Sequence, residues 1–145
     1  MTYLSAVMKE SSRLYPPIPV NQRAASRNTI IPEGGGLDGQ SPVLILEGKS
    51  VGYSVYAMHR RKDIYGSDAL EFRPERWLNN AIGTGARACL CREFAMLETT
   101  YMIAHTVQRF PFIAVPDGET MEINTEKQLL TLVVTSAEGC RLRLS

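Results

Sequence analysis

A long amphipathic helix, entered through a loop that carries a cysteine, constrains this chain most. Small or apolar side chains recur at intervals of three and four residues, a spacing that predicts a helix from Cys91 or Arg92 to Phe110. Pro111 ends this helix, because proline has no amide hydrogen to donate. The residues of the apolar face are Met96, Thr100, Ile103, Val107 and Phe110. His105 lies on the opposite side and is predicted to be a surface residue.

Cys89 comes just ahead of this helix. There its sulfur meets unpaired backbone N–H groups and the positive end of the helix dipole. Arg87 and Arg92 add positive charge beside it, and this setting favours the thiolate. A thiolate in such a place can act as a nucleophile, a redox sensor or a metal ligand, so the loop alone leaves three kinds of chemistry open.

The composition excludes several classes of protein. With 145 residues, of which 44% are hydrophobic and 21% charged, the chain fits one globular domain. A formal charge of +1 gives no field that attracts nucleic acid, so no nucleic-acid partner is expected. No apolar run reaches the ~20 residues that span a bilayer, and the start of the chain lacks a signal-peptide pattern. Since three cysteines do not make a disulfide framework, we expect a soluble, cytoplasmic chain.

The first helix is predicted from Tyr3 to Leu14, because apolar residues recur with helical spacing until the proline-rich run 15–19. Glu10 and Arg13 are three residues apart and therefore share one face of it. On a surface such a pair contributes only about 0.2–0.5 kcal/mol. The helix alone therefore assigns this pair no function.

Short strands are predicted in the middle and at the end of the chain. Loosely alternating residues indicate one half-exposed strand over 20–31, and two further strands over 42–46 and 50–56 complete a small curled sheet. Near the C-terminus, the alternating runs 128–135 and 140–144 are predicted to pair with each other as a hairpin.

Two further segments lie between the small sheet and the cysteine loop. Residues 58–65 are predicted to form one or two helical turns whose basic residues make a solvated face. These basic residues are His59, Arg60, Arg61 and Lys62. Residues 72–77 form an ordered loop with an aromatic residue at each end, which implies packing at both ends and a charged residue turned inward.

Three motifs now stand in order along the chain. They are Glu10-x-x-Arg13 on a helix, Pro74-Glu75-Arg76 in a loop, and Gly85-x-Arg87-x-Cys89 before a long helix. In this order they resemble the C-terminal portion of a cytochrome P-450, a haem-thiolate monooxygenase. The runs at 34–42 and 55–63 are similar to the fungal branch that hydroxylates n-alkanes and fatty acids. The resemblance implies a mainly α fold with small β-sheets (α+β), an incomplete cytochrome P-450 fold in which residues 1–145 form one partial domain.

The resemblance implies a cofactor, haem b, and the residues that hold it. Cys89 is the expected axial ligand of the haem iron, and Gly85 gives the loop the freedom to turn close to the porphyrin. Arg87 matches the family position that pairs with a haem propionate, and Arg23 matches a second one, since a guanidinium can donate two hydrogen bonds to a carboxylate.

A structural role is implied for three other residues, Glu10, Arg13 and Arg76. In the family the corresponding side chains form a buried charge triad, which is expected here to lock the loop that supports the cysteine. Removing one member of such a triad costs about 3–5 kcal/mol.

The reaction and the partners also follow from the resemblance. A thiolate opposite dioxygen favours O–O cleavage, so the family hydroxylates apolar small molecules, here an alkane or a fatty acid. Electrons are expected from an NADPH-dependent reductase, and the full-length family works at the endoplasmic reticulum membrane. The docking charges expected for the reductase are Arg60, Arg61, Lys62 and Arg92.

Two positions depart from the family loop, and they leave other interpretations open. Ile82 stands where the family has an aromatic residue, and Cys91 where it has glycine. The family's distal wall would precede Tyr3, so the isolated polypeptide is expected not to be a competent monooxygenase. The alternatives are a non-catalytic remnant, or a small metal- or redox-binding module that uses Cys89 and Cys91.

Overall fold

The computed structural model of this protein describes residues 2–79, 89–118, 128–130, 133–137, 139 and 141–145. Within them the fold is mainly α with small antiparallel sheets, which confirms the predicted class. The elements, in chain order, are α1 (Thr2–Leu14), β1 (Val20–Ala24), β2 (Thr29–Gly35), β3 (Ser41–Ile45), β4 (Ser50–Ser54), α2 (Val55–Met58), α3 (Lys62–Tyr65), α4 (Arg76–Asn79), α5 (Arg92–Arg109), β5 (Ile113–Ala114), β6 (Gln128–Leu130), β7 (Val134–Ser136) and β8 (Arg143–Leu144).

Helix α1 is the centre of the described fold. It ends at Leu14, as predicted, because the prolines that follow cannot continue the pattern of amide donors. Its buried side chains include the charged Glu10 and Arg13 as well as apolar residues. Among the described residues, the largest side chains that are almost completely buried are Arg13, Leu14 and Glu10. The middle of this fold is therefore ionic, and its charges need partners.

Two nested antiparallel pairs replace the predicted small curled sheet, and the single strand predicted over 20–31 is divided into β1 and β2. β1 pairs with β4, and β2 pairs with β3 inside that pair. The chain turns between β1 and β2, where the Asn28 side chain accepts a hydrogen bond from the Glu47 amide at 2.9 Å. The prediction is wrong there because the break depends on bonds to the distant residues 47–49, which alternation along the chain does not mark. β4 ends at Ser54, whose hydroxyl accepts from the Ala57 amide at 3.1 Å and caps α2.

The predicted C-terminal hairpin is wrong. β6 pairs with β7, within the first alternating run. β8 pairs with β5, the strand that follows α5, and Phe112 and Ser145 exchange two backbone hydrogen bonds of 3.0 Å beside it. Alternation fixes which face a side chain takes but does not choose the partner strand.

Helix α5 confirms the predicted boundaries, with Phe110 as its C-cap. It packs on α1, and the Thr100 hydroxyl lies 3.4 Å from the Met8 sulfur. Val107, placed on the packed face by its spacing, is instead exposed. His105 is exposed, as predicted. None of the helices in the described ranges combines the length and the apolar character needed to cross a bilayer.

Candidate functional site

The Glu10 carboxylate lies at the centre of a buried charge cluster and is 0% exposed. Its Oε1 accepts hydrogen bonds from Arg13 Nη2 at 2.8 Å, and from Arg76 Nε and the Arg73 amide at 2.9 Å each. Its Oε2 accepts from Arg13 Nε at 2.9 Å and from Trp77 Nε1 at 2.8 Å. One side chain of α1 therefore holds both the loop over 72–77 and the start of α4.

These hydrogen bonds keep Glu10 ionised. Burial, the largest single influence, raises the pKa of this carboxyl group, but the hydrogen bonds from Arg13, the Arg73 amide, Trp77 and Arg76 together outweigh burial and lower the pKa from 4.5 to about 2. At neutral pH the carboxylate therefore faces two guanidinium groups.

Arg13 uses all five of its N–H donors and is 2% exposed. Two of them form the fork with Glu10. Nη1 donates to the carbonyl oxygens of His59 and Ala69, each at 2.6 Å, and Nη2 also donates to that of Glu71 at 3.1 Å. Because carbonyl dipoles surround the rest of the guanidinium, its charge is stabilised without a second carboxylate.

Arg76 is held in the same way and is 6% exposed. Beyond Glu10, its Nη1 donates to the Tyr65 carbonyl at 2.8 Å and its Nη2 to the Asp68 carbonyl at 3.0 Å. The Asp68 carboxylate lies 3.5 Å from Arg76 Nη1 and 2.9 Å from Arg73 Nη1. Asp68 therefore supplies the second negative charge of the cluster.

His59 and Arg60 hold the end of α1, so the predicted solvated basic face is wrong for these two residues. His59 Nδ1 lies 3.0 Å from the Arg13 carbonyl, and Arg60 Nη2 donates to the Leu14 carbonyl at 2.7 Å. The last carbonyls of a helix have no partner within it, so these bonds satisfy them. Burial lowers the pKa of His59, and the nearby charges of Arg13 and Arg60 lower it further. The hydrogen bond to the Arg13 backbone raises this pKa but does not outweigh them.

The loop over 72–77 packs at one end rather than at both. Trp77 binds Glu10, but Phe72 is exposed. The charged residue turned inward is Arg76, whereas Glu75 accepts a hydrogen bond from the Tyr3 hydroxyl at 2.9 Å on the surface. That bond raises the pKa of Tyr3.

Cys89 is exposed and precedes α5. The Arg92 amide donates to the Cys89 carbonyl at 3.2 Å and so closes a turn at the start of the helix. The thiol borders an open groove of about 640 Å³ between α1 and α5. Apolar side chains such as Val7, Met8, Met96 and Ile103 line it, together with the basic residues Lys9, Arg13, His59 and Arg92. The groove thus combines one thiol with apolar and basic side chains.

Arg23 lies on β1 and is exposed. Its Nη1 donates to Asn21 Oδ1 at 3.0 Å and to the Gln22 carbonyl at 2.8 Å, and its guanidinium lies 5.8 Å from the centre of the Tyr53 ring. Of the other predicted loop residues, Gly85, Arg87 and Ile82 lie outside the described residues.

The described side chains include no group of three or more His, Cys, Asp or Glu residues that could hold a metal ion by themselves. A structural zinc site needs about four such ligands. Cys89 and Cys91 are both free thiols, while Cys140 lies outside the described residues.

The structure brings Glu10, Arg13 and Arg76 into one cluster, but several members of that cluster escaped sequence reasoning. The Trp77 N–H and the Asp68 carboxylate are polar side-chain groups that the sequence shows, so both could have been considered as partners. Trp77 in particular ends the loop that contains Arg76. The carbonyl groups around the arginines carry no side-chain signal.

The described structure thus ties α1 to a loop through a buried Glu and two Arg side chains, and it places a free thiol just before the long helix α5. The family model for cytochrome P450 matches residues 1–139. The chain is 51% identical over 97% of its length to a cytochrome P450 from Arthroderma benhamiae, and 45% identical over 79% to cytochrome P450 52A3-A from Candida maltosa. The chain therefore belongs to the cytochrome P450 family.

The fold agrees with that assignment. A solved crystal structure of a cytochrome P450 (CYP102L1) superposes on 97% of this chain with a TM-score of 0.74 at 28% identity, and the match covers 31% of that structure. The chain spans 30% of the Arthroderma relative and 24% of the Candida relative. It thus corresponds to less than a third of the proteins it matches.

Proposed function

We propose that this chain forms the thiolate-bearing part of a haem monooxygenase, with Cys89 as the ligand of the haem iron. The observation that carries the proposal is the exposed Cys89 thiol on the wall of the groove between α1 and α5. Cytochromes P450 hold haem iron through a cysteine thiolate. A single thiol with apolar side chains such as Met8, Met96 and Ile103 around it suits a large apolar ring better than a closed metal site.

Other residues of the chain would orient the bound haem. The hydrogen bonds of Arg23 to Asn21 and Gln22 both come from Nη1. Nη2 has no partner among the described residues and can donate to a propionate. Arg87 takes the second propionate in this proposal. When bound, the haem supplies oxygen activation, which the cysteine thiolate promotes by its electron donation.

The buried cluster has a positioning role in this proposal. Glu10 joins α1 to the loop over 72–77 through Arg76, the Arg73 amide and Trp77. Trp77 also borders the groove that contains the Cys89 thiol. The ionic cluster therefore fixes one wall of the groove relative to α1, and α1 contacts α5 through Met8 and Thr100.

The substrate, electron donor and location are part of the same proposal. An apolar substrate such as an n-alkane or a fatty acid is supported by the runs at 34–42 and 55–63, which are similar to the fungal branch that hydroxylates such compounds. The family implies electron donation by a redox partner, here an NADPH-dependent reductase. The endoplasmic reticulum membrane is the proposed location of the full-length protein.

Haem reconstitution tests the ligand directly. The purified chain is mixed with haem, reduced, and its carbon monoxide difference spectrum is recorded. We expect a Soret band at the thiolate-ligated position for wild type and for Cys91→Ala, and its loss in Cys89→Ala. If Cys89→Ala keeps the band, or if wild type lacks it while retaining zinc, the proposed ligand is wrong.

The proposed reductase contact is tested by a charge reversal. Arg92 is partly exposed and begins α5 three residues after Cys89, so it places a guanidinium near the thiol, although the Glu93 carboxylate lies 3.2 Å from it. We expect Arg92→Glu to slow reduction of the haem-loaded chain by the reductase, with a steeper effect at low salt. Arg109→Glu, at the other end of α5, is the matched control, and equal rates for the two variants would count against docking at Arg92.

A further inference from the structure

We propose that Cys89 and Cys91 form a reversible dithiol pair, oxidised by a peroxide to an intramolecular disulfide that protects Cys89 from irreversible oxidation. Both thiols are free and exposed, so a small oxidant in solution reaches them. Cys91 is the N-cap of α5, yet its side chain makes no capping hydrogen bond. Pairing of its sulfur therefore breaks no capping bond at the start of α5.

The backbone brings the two residues within disulfide range. Residues two apart cannot separate their Cα atoms by more than about 7 Å. The chain here is more compact than that limit, because the Arg92 amide donates to the Cys89 carbonyl at 3.2 Å and Cys91 has φ −86° and ψ 5°. Disulfides join Cα atoms about 4.4–6.8 Å apart. The turn at the start of α5 therefore keeps the two Cα atoms within disulfide range.

The reaction balances with a peroxide as the oxidant. Hydrogen peroxide oxidises the first thiol to a sulfenic acid and is reduced to one molecule of water. The second thiol then attacks the sulfenic sulfur, the S–S bond forms, and a second molecule of water leaves. In total the two thiols lose two protons and two electrons, and the peroxide accepts both. A closed loop this short adds little entropic stabilisation, and an exposed disulfide is readily reduced, so a dithiol reverses the reaction.

The pair has a consequence for the cofactor, and that part rests on the proposed function. A sulfur held in a disulfide cannot ligate iron, so oxidation and haem binding exclude each other at Cys89. Without a neighbouring thiol, a sulfenic acid proceeds to the sulfinic acid, which dithiols do not reverse. Cys91 thus keeps the oxidation of Cys89 at its reversible stage.

Peptide mapping tests the disulfide without haem. Trypsin cleaves after Arg87 and Arg92, so both cysteines fall in the one peptide 88–92. After peroxide treatment of the reduced chain and alkylation of the remaining thiols, we expect this peptide to be unalkylated and lighter by two hydrogen atoms than the dithiol. Dithiothreitol restores double alkylation. Peptides that carry oxygen on both sulfurs, that stay doubly alkylated, or that link to Cys140 would overturn the proposal.

Two variants serve as controls. Cys91→Ser keeps a polar N-cap, and its peptide is expected to gain oxygen atoms instead of losing hydrogen, with no recovery by dithiothreitol. Cys140→Ser is expected to behave as wild type. Haem binding, followed by the Soret absorbance, is expected to fall at least tenfold on oxidation and to recover with dithiothreitol in wild type but not in Cys91→Ser. A reduced wild-type chain that binds no haem refutes the proposed function, whereas the peptide map alone decides the disulfide.

Discussion

Replacing Glu10 by glutamine tests the ionic centre of this fold, because the change keeps the size of the side chain and removes its charge. Glutamine has one carbonyl oxygen, so its NH₂ group must replace one of the two carboxylate oxygens and face N–H donors. If it replaces Oε2, for example, it faces Arg13 Nε and Trp77 Nε1. Arg13 and Arg76 then remain buried without the charge between them. Removing one partner of a buried ion pair costs about 3–5 kcal/mol.

The pKa of Glu10 gives a second route to that magnitude. Its fall from 4.5 to about 2 corresponds to about 3 kcal/mol in favour of the ionised form, because one pKa unit is worth about 1.36 kcal/mol. Since the folded pKa lies below the unfolded one, this stability is present above pH 4.5 and is lost as the pH falls through about 2. The glutamine variant lacks this dependence on pH.

Urea unfolding at neutral pH measures the effect, and Trp77, the one tryptophan of the chain, reports on the same cluster through its bond to Glu10. With a slope of about 2 kcal/mol per M, a loss of 3–5 kcal/mol lowers the midpoint by roughly 2 M. Glu33→Gln, on an exposed part of β2, is the matched control and should stay within about 0.5 kcal/mol.

The reasoning is refuted if Glu10→Gln and Glu33→Gln have the same midpoint. Should Glu10→Gln fail to fold, the wild-type chain still decides the matter, because its stability must fall between pH 4.5 and about 2. A wild-type stability that stays constant over that interval would contradict the ionic cluster as the source.

Three further substitutions test the partners of this cluster. Since the pKa of His59 lies below 6.5, its contribution to wild-type stability should be complete above that pH and decrease as the pH falls through the folded pKa. His59→Asn should remove this decrease in urea unfolding, and the same pH dependence of stability in both chains would contradict it. Trp77→Phe loses a hydrogen bond to a charged group and should cost about 1.5–3 kcal/mol by circular dichroism, so a cost no larger than that of a surface substitution would be a contrary result. The lysine of Arg76→Lys cannot bind Glu10, Tyr65 and Asp68 together, so the change should cost about 3 kcal/mol. Arg61→Lys on the surface should cost almost nothing, and equal thermal midpoints for the two variants would refute the role of the Arg76 guanidinium.

The two long helices could be predicted from the sequence, whereas α2, α4 and the strand pairing could not. The bounds of α1 and α5 agree with prediction because helix contacts join residues three and four apart, and the prolines after each helix mark where it ends. β8 pairs with β5 rather than with the run before it, since a strand of two residues has too little pattern to select its partner. The exposed face assigned to His59 and Arg60 was wrong for a similar reason: their partners lie 46 residues away in α1.

The sequence by itself determined the motifs: the spacing of Glu10 and Arg13, the loop with Arg76, and a cysteine placed before a long helix. Only the tertiary structure decided how the charges are satisfied. Arg13 donates to the carbonyls of His59, Ala69 and Glu71, and every residue type carries the same carbonyl group. The amino-acid sequence therefore does not indicate which carbonyl groups bind the buried arginines, and these hydrogen bonds form only once the chain has folded.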